Sequence, residues 1–117
     1  MVIHLLYILI GRRAKRALEE ARARVAKAIG SKNKEVYFTS GGSESDNIAV
    51  KGVALANKEK GNHIITTKIE HPAILNTCRA LERQGFDVTY LNVNKEGLID
   101  LKELEEIYLI ENKGDKN

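Results

Sequence analysis

The sequence predicts an α/β fold in which three mainly parallel strands are flanked by helices. Helix and strand patterns alternate along the chain in the order αβαβαβα. The strand runs are short and bounded by turn residues, and glycine follows three of the predicted helices. Alternation of this kind is typical of parallel strands joined by right-handed crossovers, with helices covering the sheet.

Four helices are predicted from apolar residues at helical spacing: Arg12–Ile29, Ser43–Lys60, Pro72–Gln84 and one that opens at Asp100 or Leu101. Ser43 is predicted to be the N-cap of the second helix. Pro72 stands in the first turn of the third helix, where its missing N–H costs nothing. Glycine ends the first three helices, at Gly30, Gly61 and Gly85.

Three strands are predicted from runs rich in β-branched and aromatic residues: Glu35–Thr39, His63–Thr67 and Asp87–Leu91.

The composition is that of one ordinary globular domain. The chain has 117 residues, of which 30% are charged and 43% hydrophobic. The 19 Lys+Arg and 16 Asp+Glu leave a net charge of +3, which is too weak to indicate a nucleic-acid partner, and 5% aromatic residues disfavour base-stacking platforms. A single cysteine excludes an internal disulfide and favours a reducing compartment, so we expect a cytoplasmic protein.

Both ends of the chain differ from the part between them. Val2 to Ile10 is apolar except for His4, and it is too short to span a membrane, so no membrane partner is expected. We interpret residues 1–10 as a buried strand or as the apolar lead-in to the next helix. A signal peptide is a weaker alternative because the basic residues follow the run.

Residues 111–117 form a polar tail that should fray, which leaves 11–110 as the predicted domain.

The loop from Thr39 to Glu44 is the first candidate site. In open α/β sheets, ligands bind at the carboxyl ends of the strands, where this loop is expected to lie. Gly41 and Gly42 let a backbone approach a ligand closely, Ser43 adds a hydroxyl, and the following helix start offers free N–H groups. The pattern predicts a phosphate cradle without being a P-loop. A tight turn with an ordinary serine cap is the alternative that the loop alone favours.

His71 is the second candidate at that edge. It directly precedes Pro72, so it stands at or before the helix N-cap, where the helix dipole favours a neutral ring. A neutral flat ring could stack on an aromatic cofactor. A surface histidine that fills a cap is the plainer interpretation.

Other chemistry is not supported by the sequence. His4, His63 and His71 share no metal-ligand spacing, so no metal site is predicted. Cys78 falls on an apolar helical stripe, where a buried inert thiol is expected. The basic start of the first helix is followed by acids and indicates a solvated face.

The same loop carries a family resemblance. Residues 36–47, VYFTSGGSESDN, resemble the FTSGATESDN signature of the cysteine desulfurases, which belong to the class V aminotransferase group. Further matching segments are Gly61–Thr67, Ile69–His71, Leu81–Leu91 and Gly97–Leu101. The resemblance extends from Gly11 to about Glu106.

The resemblance implies a partial large domain of a pyridoxal-5′-phosphate (PLP) transferase over residues 11–110. The family takes sulfur from cysteine, leaving alanine and a persulfide on an enzyme cysteine, and so serves iron–sulfur cluster assembly. The loop matching Gly41, Gly42 and Ser43 holds the cofactor phosphate, and the histidine matching His71 stacks on the pyridine ring. The family usually has threonine at the position of Ser43, so the hydroxyl is kept.

Several family features have no counterpart here. The Schiff-base lysine, the aspartate that pairs with the pyridine nitrogen and the persulfide cysteine lie beyond the matched region, so no catalytic residue is predicted. Cys78 does not match the sulfur-carrying cysteine. The chain also has apolar residues up to Ile10 where the family has a polar stretch.

The resemblance also bears on assembly and function. In the family's sheet the strand matching Glu35–Thr39 is not beside the strand matching His63–Thr67, so we expect self-association or a complementary chain. The favoured function is a cysteine desulfurase-like PLP-binding domain that is inactive alone. A non-catalytic anion-binding or interaction module, and one half of a split enzyme, are the alternatives.

Overall fold

The computed structural model describes the backbone of residues 2–114 and the side chains of residues 5–110. Its elements are α1 (Val2–Ile29), a 3₁₀ turn (Asn33–Glu35), α2 (Gly42–Ala56), β1 (His63–Thr67), α3 (Pro72–Glu82), β2 (Asp87–Leu91) and α4 (Leu101–Gly114). These elements form two compact units, Met1–Thr39 and Ser40–Asn117.

The first unit is built on one helix of 28 residues. The apolar run at its start is continuous with that helix, so the lead-in interpretation is confirmed and the buried strand is wrong. Among the described residues of this unit, Ala26 and Val36 are buried, whereas large apolar residues whose spacing predicted the helix, Leu18, Val25 and Ile29, are exposed. No described helix is long and apolar enough to cross a bilayer.

The predicted strand Glu35–Thr39 does not form. Glu35 ends a 3₁₀ turn and the next four residues belong to no strand. The Val36 carbonyl accepts a hydrogen bond from the Arg22 guanidinium, which lies 5.1 Å from the centroid of the Phe38 ring. A strand needs a neighbour to take its N–H and C=O groups, and the described residues supply none here.

The second unit contains the parallel α/β core. Strands β1 and β2 keep their predicted bounds and pair in parallel, from His63 opposite Asp87 to Thr67 opposite Leu91, with α3 as the crossover. The core is formed by buried side chains of α3, of the turn before β2 and of the end of β2: Thr77, Cys78, Leu81, Phe86 and Leu91. The predicted burial of Cys78 is therefore confirmed. The α/β class is confirmed, with two of the three expected strands.

Helix ends differ from the prediction by a few residues. Gly41, not Ser43, is the N-cap of α2, and that helix ends at Ala56, where the Asn57 amide donates to the Val53 carbonyl at 2.8 Å. Helix α3 ends at Glu82, two residues early, and Gly85 turns the chain toward β2 with a φ of 91°.

At the start of α4, the Asp100 carboxylate accepts the Lys102 N–H at 2.9 Å, as a capping side chain does. The helix continues to Gly114, into the segment predicted as a polar tail. The remainder of that tail lies outside the described residues.

Candidate functional site

Ser43 and His71 line the same open depression in the second unit. Its volume is about 490 Å³, and it lies where α2 and α3 pack together. Its lining residues are Ser43, Asn47, Lys51, His71, Pro72, Ala73, Asn76 and Thr77. The structure therefore brings together two of the four residues predicted to hold a cofactor, whereas Gly41 and Gly42 lie outside this lining.

Helix α2 contributes a polar stripe to the depression. Ser43, Asn47 and Lys51 are four residues apart, a spacing that places side chains on one face of a helix. The Asn47 amide donates to the Ser43 carbonyl at 2.9 Å, which holds it along the stripe. The free N–H groups and the positive dipole end of α2 lie at the Ser43 end of this stripe. This side of the depression suits an anion.

Helix α3 contributes His71 at its N-cap. The ring Nδ1 accepts the Ala73 N–H at 3.1 Å, which satisfies one free donor of the first turn. The residue is exposed, and Pro72 follows it at the first helical position. The predicted cap is confirmed, and the ring is still available to a ligand.

The glycine loop is closed on itself. Both the backbone N–H and the hydroxyl of Ser40 donate to the Glu44 carboxylate, the former at 2.9 Å. The Ser40 hydroxyl first, and its N–H second, lower the pKa of Glu44. Gly41 has a φ of 167°, which is extended backbone, and a Cβ at Gly41 or Gly42 would meet nothing within 4 Å. Neither glycine is required by the packing of the described residues, and the space beside both is open.

The donor set fits pyridoxal phosphate. A phosphate ester is bound by hydroxyl and amide donors, a cation and helix N–H groups, which Ser43, Asn47, Lys51 and the start of α2 supply. His71 presents an exposed flat ring at the same depression, where a pyridine ring could stack. No Asp or Glu lines the depression. Among the described residues there is also no group of three metal-binding side chains.

Asn47 and Lys51 were missed by the sequence prediction. Their spacing from Ser43 was a usable signal, because residues at i+4 and i+8 share a helix face. What the sequence did not provide was the packing of α3 against that face, which makes it the wall of a depression.

Comparison with known proteins identifies the family of the chain. The sequence pattern of the aminotransferase class-V family matches residues 7–113. The chain belongs to the aminotransferase class-V family. It is similar to the cysteine desulfurase IscS of Clostridium botulinum (strain Hall), with 56% identity over 93 residues. That alignment covers 80% of this chain and 23% of the relative, so the chain spans about a quarter of the length of the curated relatives it matches.

Solved structures also match most of this chain with about a quarter of their own length. A NifS-like protein superposes with a TM-score of 0.74 and 42% identity, over 82% of this chain and 26% of that chain. SspA in complex with cysteine superposes with a TM-score of 0.71 and 45% identity, over 82% and 28%. The partial PLP-transferase fold expected from the sequence is thereby confirmed.

Proposed function

We propose that this chain is a cytoplasmic, PLP-binding part of a cysteine desulfurase and that it does not desulfurate cysteine by itself. The observation that carries the proposal is the shared depression of Ser43 and His71. These are the residues that the family resemblance assigns to the cofactor phosphate and the cofactor ring. A structurally similar protein, SspA, was solved in complex with cysteine, which agrees with the proposed substrate class.

Each lining residue has a distinct task in this proposal. The Ser43 hydroxyl and the first N–H groups of α2 hold the phosphate, with the Gly41–Gly42 backbone beside it. Lys51 adds the positive charge that the phosphate dianion needs, and His71 supports one face of the ring. When bound, PLP supplies the electron sink for bond breaking at an amino acid.

Inactivity toward cysteine follows from the lack of a suitable thiol. No cysteine lines the depression. Cys78 is buried in the core, and burial first, then the Glu82 and Glu70 carboxylates, raise the pKa of its thiol. Sulfur transfer needs a thiolate acceptor, and a buried thiol with a raised pKa is a poor one.

A complementary chain or self-association is the proposed partner. The two-stranded sheet has open edges, and the second unit exposes large apolar side chains, among them Ile48, Val53 and Leu101. Unpaired edges and exposed apolar surface favour association. The same surfaces support the split-enzyme alternative, in which another chain brings the Schiff-base lysine and the persulfide cysteine of the family.

Titration of the pure chain with PLP, followed by absorbance and by quenching of tyrosine fluorescence, tests the proposal. Ser43→Ala should weaken PLP binding at least roughly tenfold, in line with the loss of a hydrogen bond to a charged group. Ser45→Ala, two residues along the same helix and outside the depression, should not. An equal affinity of Ser43→Ala and Ser45→Ala would overturn the assignment.

His71 requires a variant that keeps its cap. His71→Asn retains a good N-cap acceptor but removes the ring, so α3 should remain folded while PLP affinity falls. Free pyridoxal and inorganic phosphate serve as separate probes. Binding of phosphate alone, with no gain from the pyridoxal ring, would favour the anion-binding module instead.

A further inference from the structure

The first turns of α1 carry a feature that the proposed function leaves unused. Six consecutive apolar side chains, Leu5 to Ile10, are all exposed, from 39% at Ile8 to 72% at Tyr7. We call them the apolar tip. Successive helix residues are about 100° apart, so six of them surround the whole circumference. Each of these six side chains is therefore open to solvent, on every side of the helix.

A basic turn follows immediately. Arg12, Arg13, Lys15 and Arg16 are all exposed, and no Asp or Glu precedes Glu19 in the chain. Four positive charges therefore stand within about two helical turns of the apolar tip.

The apolar tip and the basic turn together indicate what kind of partner would bind here. A protein groove or a second helix covers a stripe of a helix, whereas the tip is apolar on every side. A parallel bundle of copies would bring the basic turns of all its members together, which like charges oppose. Lipid chains can surround a helix completely, and anionic head groups attract a basic segment next to it.

We propose that the apolar tip inserts into the surface of an anionic lipid bilayer, with the basic turn at the level of the lipid phosphates. The six helical residues of the apolar tip are about 9 Å long, which is less than the roughly 15 Å depth of one hydrocarbon leaflet. The helix enters one leaflet without crossing, so the length argument against a membrane span does not apply. The expectation that the chain has no membrane partner is replaced by this inference.

Vesicle sedimentation of the full chain tests the proposal directly. The chain should partition onto phosphatidylcholine vesicles containing 30% phosphatidylglycerol about tenfold or more better than onto phosphatidylcholine alone, and 0.5 M salt should reduce that preference. Absence of binding to the anionic vesicles would overturn the proposal.

Two paired substitutions separate the tip from the basic turn. Leu6→Gln with Leu9→Gln, and separately Arg12→Gln with Arg13→Gln, should each reduce partitioning about tenfold or more. Leu55→Gln with Leu98→Gln and Arg24→Gln with Arg83→Gln make the same chemical changes at exposed positions outside the tip and the basic turn, and should leave partitioning unchanged. Equal losses in the control variants would show that overall charge or apolarity, and not the tip, drives binding.

A single fluorophore reports insertion itself. The chain contains no tryptophan, so Tyr7→Trp places one reporter in the tip. Its emission should shift to shorter wavelength on anionic vesicles and be quenched by brominated lipid chains. Tyr108→Trp, on α4, is the matched control and should show neither effect. Two results together would overturn the proposal: the Leu6→Gln, Leu9→Gln variant is monomeric where the natural chain is an oligomer, and the Tyr7→Trp emission does not change when lipid is added. The tip would then be a contact between copies of the chain.

Discussion

Two stretches of this chain have strand-forming sequences and different outcomes. His63–Thr67 pairs in parallel with Asp87–Leu91 within its own unit. Val36–Thr39, equally rich in β-branched and aromatic residues, lies in no strand, and Tyr37 is 77% exposed. Strand propensity describes a fit to a pleated, half-buried surface, so it is realised only where a neighbouring strand is present. The second unit holds its own partner strand, whereas the first has none among its described residues.

The largest expected difference between the units lies in core packing. Leu81 is fully buried in the second unit, at 0% exposure, whereas Leu18 on α1 is 45% exposed. Leu81→Ala should lower the free energy of unfolding by about 3 kcal/mol because it leaves a cavity. Leu18→Ala should change it by less than about 0.5 kcal/mol. Urea unfolding followed by circular dichroism measures both, and equal effects would mean that the first unit has a core of its own.

A smaller difference is expected at alkaline pH. Burial, followed by Glu82 and Glu70, raises the pKa of Cys78 above its ordinary value of 9.0. As the pH rises, the Cys78 thiol loses its proton in the unfolded chain before it does in the folded chain. The contribution of this thiol to the free energy of unfolding is therefore fully present below about pH 9 and falls as the pH rises further. Burial also raises the pKa of Tyr90 above its ordinary value of 10.0, so the interval between pH 9 and 10 reports mainly on Cys78.

Cys78→Ala isolates that contribution. The variant has a cavity and lower overall stability, but its stability should change less between pH 9 and 10 than that of the natural chain. Urea midpoints at the two pH values give the two slopes. Identical slopes would mean that the thiol ionises equally in both states.

The smallest expected effect concerns the glycine loop. The Ser40 hydroxyl and N–H lower the pKa of Glu44 below its ordinary value of 4.5. The stabilisation from the Ser40–Glu44 hydrogen bonds is therefore present above the ordinary glutamate pKa, and it is lost as the pH falls through the lowered pKa of Glu44. Ser40→Ala removes the larger cause, so the Glu44 pKa should rise toward 4.5 in a carboxyl NMR titration. An unchanged titration would mean that the loop is open in solution.

The sequence predicted correctly the helix ends and strands that depend on neighbouring residues or on pairing within the second unit. The bounds of β1 and β2, the start of α3 at Pro72 and the His71 cap all follow from residue types and spacing. The N-cap of α2 was placed two residues late because Gly41 and Ser43 are both acceptable caps. Lys51 was missed because its place at the site depends on how α2 packs against α3, which is a tertiary property.

The central claim is that PLP binds the α2–α3 depression of the second unit. Amide NMR of the ¹⁵N-labelled chain tests it most directly as PLP is added. The account predicts saturable shifts at Ser43, Asn47, Lys51 and His71, with the residues of α1 unchanged. Shifts that follow the surface lysines of both units, or no shifts at the depression, would contradict it.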